Sequence, residues 1–426
     1  MLQAPPRDAR TLSSLAWVAL ALLLPVPWIV AERTGAASGM SPQMVAMLSG
    51  TAIVGAAFLL SWGAELAERD ISQNLALVVL ALLAILPEYA VDLTFAWIAG
   101  SRPEYVEYTV ANMTGANRLL IGLGWPLIVI LYATKYKRRE IQLDGRQGLE
   151  ISFLLMATLY SFVLPFKKQI SLVDSALLFS LFALYAWTAA RVSKQECEIH
   201  GPAGVIDRML EPVGRRFWLL ASFAYAGFAI WASAHPFAEA LVETGHRLNV
   251  PPFLLVQWIA PIASESPEAV VAILFALRAK PSTAMGALSS SVVNQWTLLV
   301  GAIPLVYSLS RGTVSAMPLV PRQVEELLLT SGQSLFAVAI LANFRFTVWE
   351  AVVILVLFVA HVLSPSTYVR YLFAGAYIGM ALLLLLVKGE RRRTLVDLLR
   401  SRGRLVRPAL GGKAPGEEDE REEAGP

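Results

Sequence analysis

The sequence predicts an all-α polytopic membrane protein, with about 12 transmembrane helices in total that include two inverted five-helix repeats. Three observations carry that expectation. Of 426 residues, 56% are hydrophobic and 16% charged, with a mean hydropathy of +0.58, a balance foreign to ordinary soluble domains. Most of the chain divides into apolar runs of roughly 17 to 30 residues, the length that crosses ~30 Å of hydrocarbon at ~1.5 Å per residue. Finally, "AERDISQNLALVVLALLAILPEYAVDLTFA" lines up with "GHRLNVPPFLLVQWIAPIASESPEAVVAILFA", which sets Leu86-Pro87-Glu88 over Ser266-Pro267-Glu268. Such internal similarity marks a duplication.

The spans lie near 12–32, 42–64, 71–99, 105–133, 149–166, 171–191, 217–235, 251–278, 283–309, 325–343, 346–363 and 367–388. The first follows a basic flank and lacks a clean small-x-small cleavage site, so it reads as a retained helix rather than a signal peptide. "PFKKQISLVD" and "NFRFTVWE" read as tight hairpins between antiparallel helices, and Phe166 before the first matches Phe344 before the second. A repeat of five spans is odd in number, so its second copy enters the membrane from the opposite side.

The organisation that follows is an extra helix in 1–41, a first repeat in 42–191, a linker in 192–216, a second repeat in 217–364, an extra helix in 365–388 and a tail in 389–426. The basic stretches are "KYKRREIQLDGR", the loop from Arg191 to Arg216, and the tail beginning "KGERRRTLVDLLRSRGRLVR". Twelve spans place all three on one side together with Arg7 and Arg10, so both termini are expected in the cytoplasm. The acidic end "GEEDEREEAGP" has nothing to bury and reads as disordered. Basic loops and the lack of an organellar transit peptide favour a prokaryotic inner membrane.

Several function classes are disfavoured. A net charge of +3, with basic residues confined to loops and tail, does not indicate nucleic acid. One cysteine, Cys197, excludes an intrachain disulfide framework, and His200, His235, His246 and His361 do not pair at ligand spacing. No nucleophile–base pair is visible, so an enzyme is not expected, and no cofactor is called for. The partners expected are inorganic cations and the lipid bilayer.

Carboxylates inside membrane spans are costly and mark ion paths. Here four occur in two corresponding helices: Glu88 and Asp92 at i, i+4, and Glu265 and Glu268 at i, i+3, each pair on one helical face. Pro87 and Pro267 precede the central glutamates, where each removes a backbone donor and can break its helix. Carboxylate and freed carbonyl oxygens together suit hard cations, above all calcium.

With these motifs the chain resembles, over roughly 42–364, the membrane domain of the sodium/calcium exchanger family within the calcium/cation antiporter superfamily. That family pairs a Pro-Glu or Pro-Asp helix with a Gly-Asn-x-x-Gly-Ser-Asn-like helix in each of two inverted repeats. "LPEYAVD" and "SPEAVV" match the first element; "ANMTGANRLLIGLG" and "GALSSSVVNQWTLLVG" match the second in part. The resemblance implies that Glu88 and Glu268 are the two central acidic ligands and that Ser290 and Asn294 match the motif serine and the residue one turn later. It matches Asn112 and Asn117 to the remaining motif asparagines.

Ala116 and Leu120 stand where two further oxygen ligands are expected, and Ala84 and Ile85 where Thr-Ser is usual. Arg118 follows Asn117, placed to pair with Asp92 or Glu265 or to take part of the space of a bound cation. Glu350 and Asp174 occupy equivalent hairpin ends, which favours a structural role. The implied function is secondary active antiport of calcium against sodium or protons, by alternating access at a midplane carboxylate site. The departures keep open a monovalent cation/proton exchanger, a cation channel and a degenerate member that no longer transports.

Overall fold

The computed structural model describes residues 7–67, 85–191, 199, 201–364 and 366–400. The first half of the span expected at 71–99 and the acidic end of the tail lie outside these residues. Helix α1 (Arg7–Leu23) passes through Leu24 and Pro25 into α2 (Val26–Arg33), and α3 (Pro42–Ala67) follows. The first repeat continues with α4 (Leu86–Ser101), α5 (Ala111–Leu119), a π-helical turn (Leu120–Gly124), α6 (Trp125–Tyr136), α7 (Gly148–Ser161), α8 (Val163–Lys167) and α9 (Leu172–Ala189). Beyond α10 (Gly201–Met209), the second repeat runs α11 (Pro212–Leu248), α12 (Pro252–Leu277), α13 (Pro281–Asn294), a second π-helical turn (Gln295–Leu299), α14 (Val300–Arg311), α15 (Pro321–Leu341) and α16 (Val348–Val362). Helices α17 (Thr367–Val387) and α18 (Gly389–Arg400) close the described chain. Among the described residues ten helical stretches are long and apolar enough to cross a membrane, and α16 is a shorter apolar helix.

The duplication is visible in backbone detail. Both motif helices, α5 and α13, run into a π-helical turn before straightening into α6 and α14. Four short strands occupy paired loops: β1 (Glu140–Gln142), β2 (Gln169–Ile170), β3 (Met317–Pro318) and β4 (Arg345–Thr347). β1 pairs antiparallel with β4, and β2 with β3. Since α7 and α8 form one traverse between β1 and β2, the two ladders lie at opposite ends of the bundle, and each joins a loop of one repeat to a loop of the other. Lys168 and Phe344, with φ of 54° and 58°, turn the chain into β2 and β4. Lys168 rather than Phe166 is therefore the structural counterpart of Phe344.

The hairpin ends Asp174 and Glu350 do the same local work. The Asp174 carboxylate accepts from the Ser171 backbone N–H and from Lys167 Nζ, both at 2.7 Å. Glu350 accepts from the Thr347 N–H at 2.9 Å and, on its other oxygen, from Arg391 at 2.7 Å. Arg391 belongs to α18, which buries Leu395 and Leu398, so the tail that followed the last span in sequence starts as a docked helix.

Three other expectations change. The linker 192–216 contains α10, whose Ala203, Val205 and Ile206 are buried. The span expected to end at 235 continues through Pro236 to Leu248, because Phe237, Ala238 and Leu241 pack into the core and outweigh the one hydrogen bond that proline removes. Pro267, like Pro261, sits inside a continuous α12. Of the two prolines that precede the central glutamates, Pro87 alone falls in the first turn of a helix, α4.

Two apolar cores result. The larger joins α4 to α9 and α12 to α18 with Ile53 of α3 and the C-terminal half of α11; the smaller joins α1, α3, α10 and the N-terminal half of α11. Helices α3 and α11 approach closely because α3 offers glycines: a Cβ on Gly63 would lie 2.4 Å from the Phe223 ring. Leu177, Leu184 and Trp187 of α9 and Leu382, Leu383 and Leu386 of α17 point outward, as lipid-facing residues do.

Candidate functional site

The first turn of α4 and the middle of α12 bring the four carboxylates together. Glu88, one residue after Pro87, is 3% exposed and Asp92 fully buried, while Glu265 on α12 is 6% exposed. Glu265, Asp92 and Glu268 are the charged groups that Glu88 faces. Glu88 Oε1, both oxygens of Asp92 and Glu265 Oε2 are buried without a well-formed hydrogen bond. Four such oxygens in an apolar core are a large unsatisfied demand for positive charge.

The motif helices line the same region. α5 crosses α12 so tightly at Gly115 that an added Cβ would lie 1.8 Å from the Gln257 carbonyl oxygen. That approach sets Asn112 beside Asp92, with neither amide atom in a well-formed hydrogen bond. Asn117 turns its amide nitrogen back to the Met113 carbonyl at 3.2 Å and keeps a buried, unpartnered Oδ1. Thr114 bonds back to the Val110 carbonyl at 2.7 Å. At the end of α13, Asn294 Oδ1 accepts from the Tyr89 hydroxyl at 3.0 Å, and Gln295, which opens the π-helical turn, donates from Nε2 to Glu265 Oε1 at 2.9 Å.

Two expectations are corrected here. Ser290 shares its hydrogen bond with Tyr185 of α9 at 2.8 Å, whereas the next residue, Ser291, faces Glu268. One residue turns a helix by about 100°, enough to exchange one serine for the other. Arg118 pairs with neither Asp92 nor Glu265. Its guanidinium lies 2.6 Å from Glu326 of α15, over the Trp258 ring at 5.1 Å. Glu326 also meets Arg322 at 2.8 Å and Arg370 at 3.7 Å and accepts from Gln257 at 3.0 Å, while Arg370 pairs with Glu325 at 2.6 Å. Arg118 thus belongs to a separate buried network of three arginines and two glutamates.

Sequence reasoning missed Tyr89, Ser291, Gln295, Gln257 and Glu326. The signal for Glu326 was present in Arg322, Glu325 and Glu326, three charged residues within a turn of an apolar helix. Placing the span's start at 325 left them at its edge.

Comparisons with known proteins meet the same duplicated organisation. No curated protein sequence matches the chain. A solved structure described as the H+/Ca2+ exchanger CAX matches with 42% sequence identity and a TM-score of 0.87, covering 93% of this chain and 99% of that one. The structure of native YfkE matches at 15% identity and a TM-score of 0.58, over 82% of this chain and 98% of that one, a likeness of fold. The sequence profile of the sodium/calcium exchanger protein matches residues 40–191 and 218–365, one stretch for each repeat. On these two matched repeats and the 42% identity of an exchanger along nearly its whole length, the chain belongs to the sodium/calcium exchanger family.

Proposed function

We propose that the protein is a secondary active antiporter that exchanges calcium for protons at the cluster of Glu88, Glu265, Glu268 and Asp92, by alternating access. The observation that carries this reading is the set of four buried carboxylate oxygens without well-formed hydrogen bonds, on helices of both repeats. Calcium takes six to eight oxygens in a flexible shell, and the amide oxygens of Asn112, Asn117 and Asn294 can add to the carboxylates. Protons compete at the same place because four clustered carboxylates cannot all stay charged in an apolar core. A divalent ion and protons then compete for the same oxygens, and either neutralises the cluster enough for the bundle to rearrange. The similarity to the H+/Ca2+ exchanger supports protons as the coupling ion.

The basic loops support cytoplasmic termini and an inner-membrane location. Hydropathy and the internal match support repeat bounds of 42–191 and 217–364. The test is uptake of radioactive calcium by proteoliposomes under an imposed proton gradient and, separately, a sodium gradient. Uptake driven by the proton gradient and lost in Glu88→Gln and Glu268→Gln is expected. Uptake that follows only sodium would replace the coupling ion; calcium flux without countertransport would indicate a channel.

A further inference from the structure

We infer that Gln295 and Tyr89 are positioning residues that hold one wall of the cation site, an inference that rests on the site being the calcium site proposed above. Ser291 and Asn294 at the end of α13 and Gln295 at the start of the π-helical turn recur at i, i+3 and i+4 and share one helical face. This face closes against α12 and α4. Gln295 is fully buried. Its amide nitrogen donates to Glu265 Oε1 at 2.9 Å, which leaves Oε2 of the same carboxylate, buried and unpartnered, as the oxygen available to the site. Tyr89 follows Glu88 directly, and its hydroxyl crosses from the first repeat to Asn294 Oδ1 of the second at 3.0 Å. The two bonds fix neighbouring residues at the point where the α-helix passes into the π-helical turn, a local irregularity that accompanies functional sites.

The first repeat has no such support. The residue that opens its π-helical turn, as Gln295 opens the second, is Leu120, which has no donor to give. Arg118 is committed to Glu326, and although Asn112 lies beside Asp92, neither its amide nor either Asp92 oxygen makes a well-formed hydrogen bond. The site therefore has one wall held in place by neutral donors and one that is not. A neutral amide can aim a carboxylate without cancelling its charge, as required of a group that orients a ligand for a divalent cation. Tyr89 ties this held wall to the helix that carries Glu88, so the spacing between the two central acidic residues depends on it.

Equilibrium binding of radioactive calcium to the detergent-purified full chain tests the inference, with transport kinetics in proteoliposomes alongside. Gln295→Met keeps the length of the side chain and removes its donor; it should weaken calcium binding about 10- to 100-fold and raise the half-saturating concentration while leaving the maximal rate near that of wild type. Tyr89→Phe should weaken binding about 2- to 10-fold. Because Gln295 acts through Glu265, Gln295→Met should add little in a Glu265→Gln background, an outcome that a general packing role does not produce. Unchanged binding in Gln295→Met, or an equal loss with and without Glu265, overturns the inference and leaves the antiport reading intact. Absence of calcium binding by the wild-type chain overturns both.

Discussion

Replacing either end of the Arg118–Glu326 pair should destabilise the protein, and by unequal amounts. Glu326 is the hub of its network: Arg118 lies at 2.6 Å, Arg322 at 2.8 Å and Arg370 at 3.7 Å. In Glu326→Gln, Arg118 keeps the Thr114 carbonyl at 3.2 Å and the Trp258 ring but loses its carboxylate, so a buried guanidinium is left without a counter-charge. Breaking a buried pair in this way costs about 3–5 kcal/mol. In Arg118→Met, Glu326 still has Arg322 and Gln257. The loss is then closer to that of one charged hydrogen bond, about 1.5–3 kcal/mol, and it is reduced further because three arginines against two glutamates carry one surplus positive charge. Thermal and denaturant-induced unfolding in a fixed detergent measures both. The combined variant should be less destabilised than the sum of the two, since the partners share one interaction. Calcium affinity should stay near wild type in folded Arg118→Met, because Arg118 touches none of the four site carboxylates. Equal or greater destabilisation by Arg118→Met, or a tenfold shift in its calcium affinity, would refute the assignment of Arg118 to a brace outside the site.

The two adjacent serines give a second contrast. Ser291→Ala should weaken calcium binding measurably, whereas Ser290→Ala should leave it unchanged and cost about 1 kcal/mol of stability through Tyr185; equal effects on binding would refute the facing assigned to α13. At the helix crossing, Gly115→Ala places a methyl group against the Gln257 carbonyl and should destabilise by about 1–3 kcal/mol, read as a lower unfolding midpoint, with poorer calcium binding as Asn112 is pushed from Asp92.

How much of this was legible in the sequence depended on the kind of signal. Hydropathy placed the helices because crossing a bilayer demands a length of apolar chain, a demand that one sequence displays by itself. The duplicated Pro-Glu helices located Glu88 and Glu268, and the high cost of intramembrane charge drew attention to Asp92 and Glu265; the structure brings all four together. Facing was less legible. A motif matched by text fixes a residue to within one position, and on a helix one position separates Ser291, at Glu268, from Ser290, at Tyr185. Partners distant in sequence were the least legible: Arg322, Glu325 and Glu326 mark a charged turn, but that Arg118 pairs there follows only from the packing of α5 against α15. Proline misled in the opposite sense. Its missing donor argues for a break, but Pro267 lies in a helix that tertiary packing keeps continuous.

The two small strand ladders bear on how the chain is completed. Each takes one strand from either half, so neither half contains both partners of a pair. During synthesis β1 and β2 emerge long before β3 and β4 and must wait at the aqueous surfaces with open backbone edges, which makes registration of the halves a late, non-local event. The exchange is reciprocal about a pseudo-twofold axis, the arrangement by which a symmetric homodimer seals its isologous interface. Covalent linkage here ensures one copy of each half; recognition between the halves lies in the ladders and in the helices that cross at Gly115.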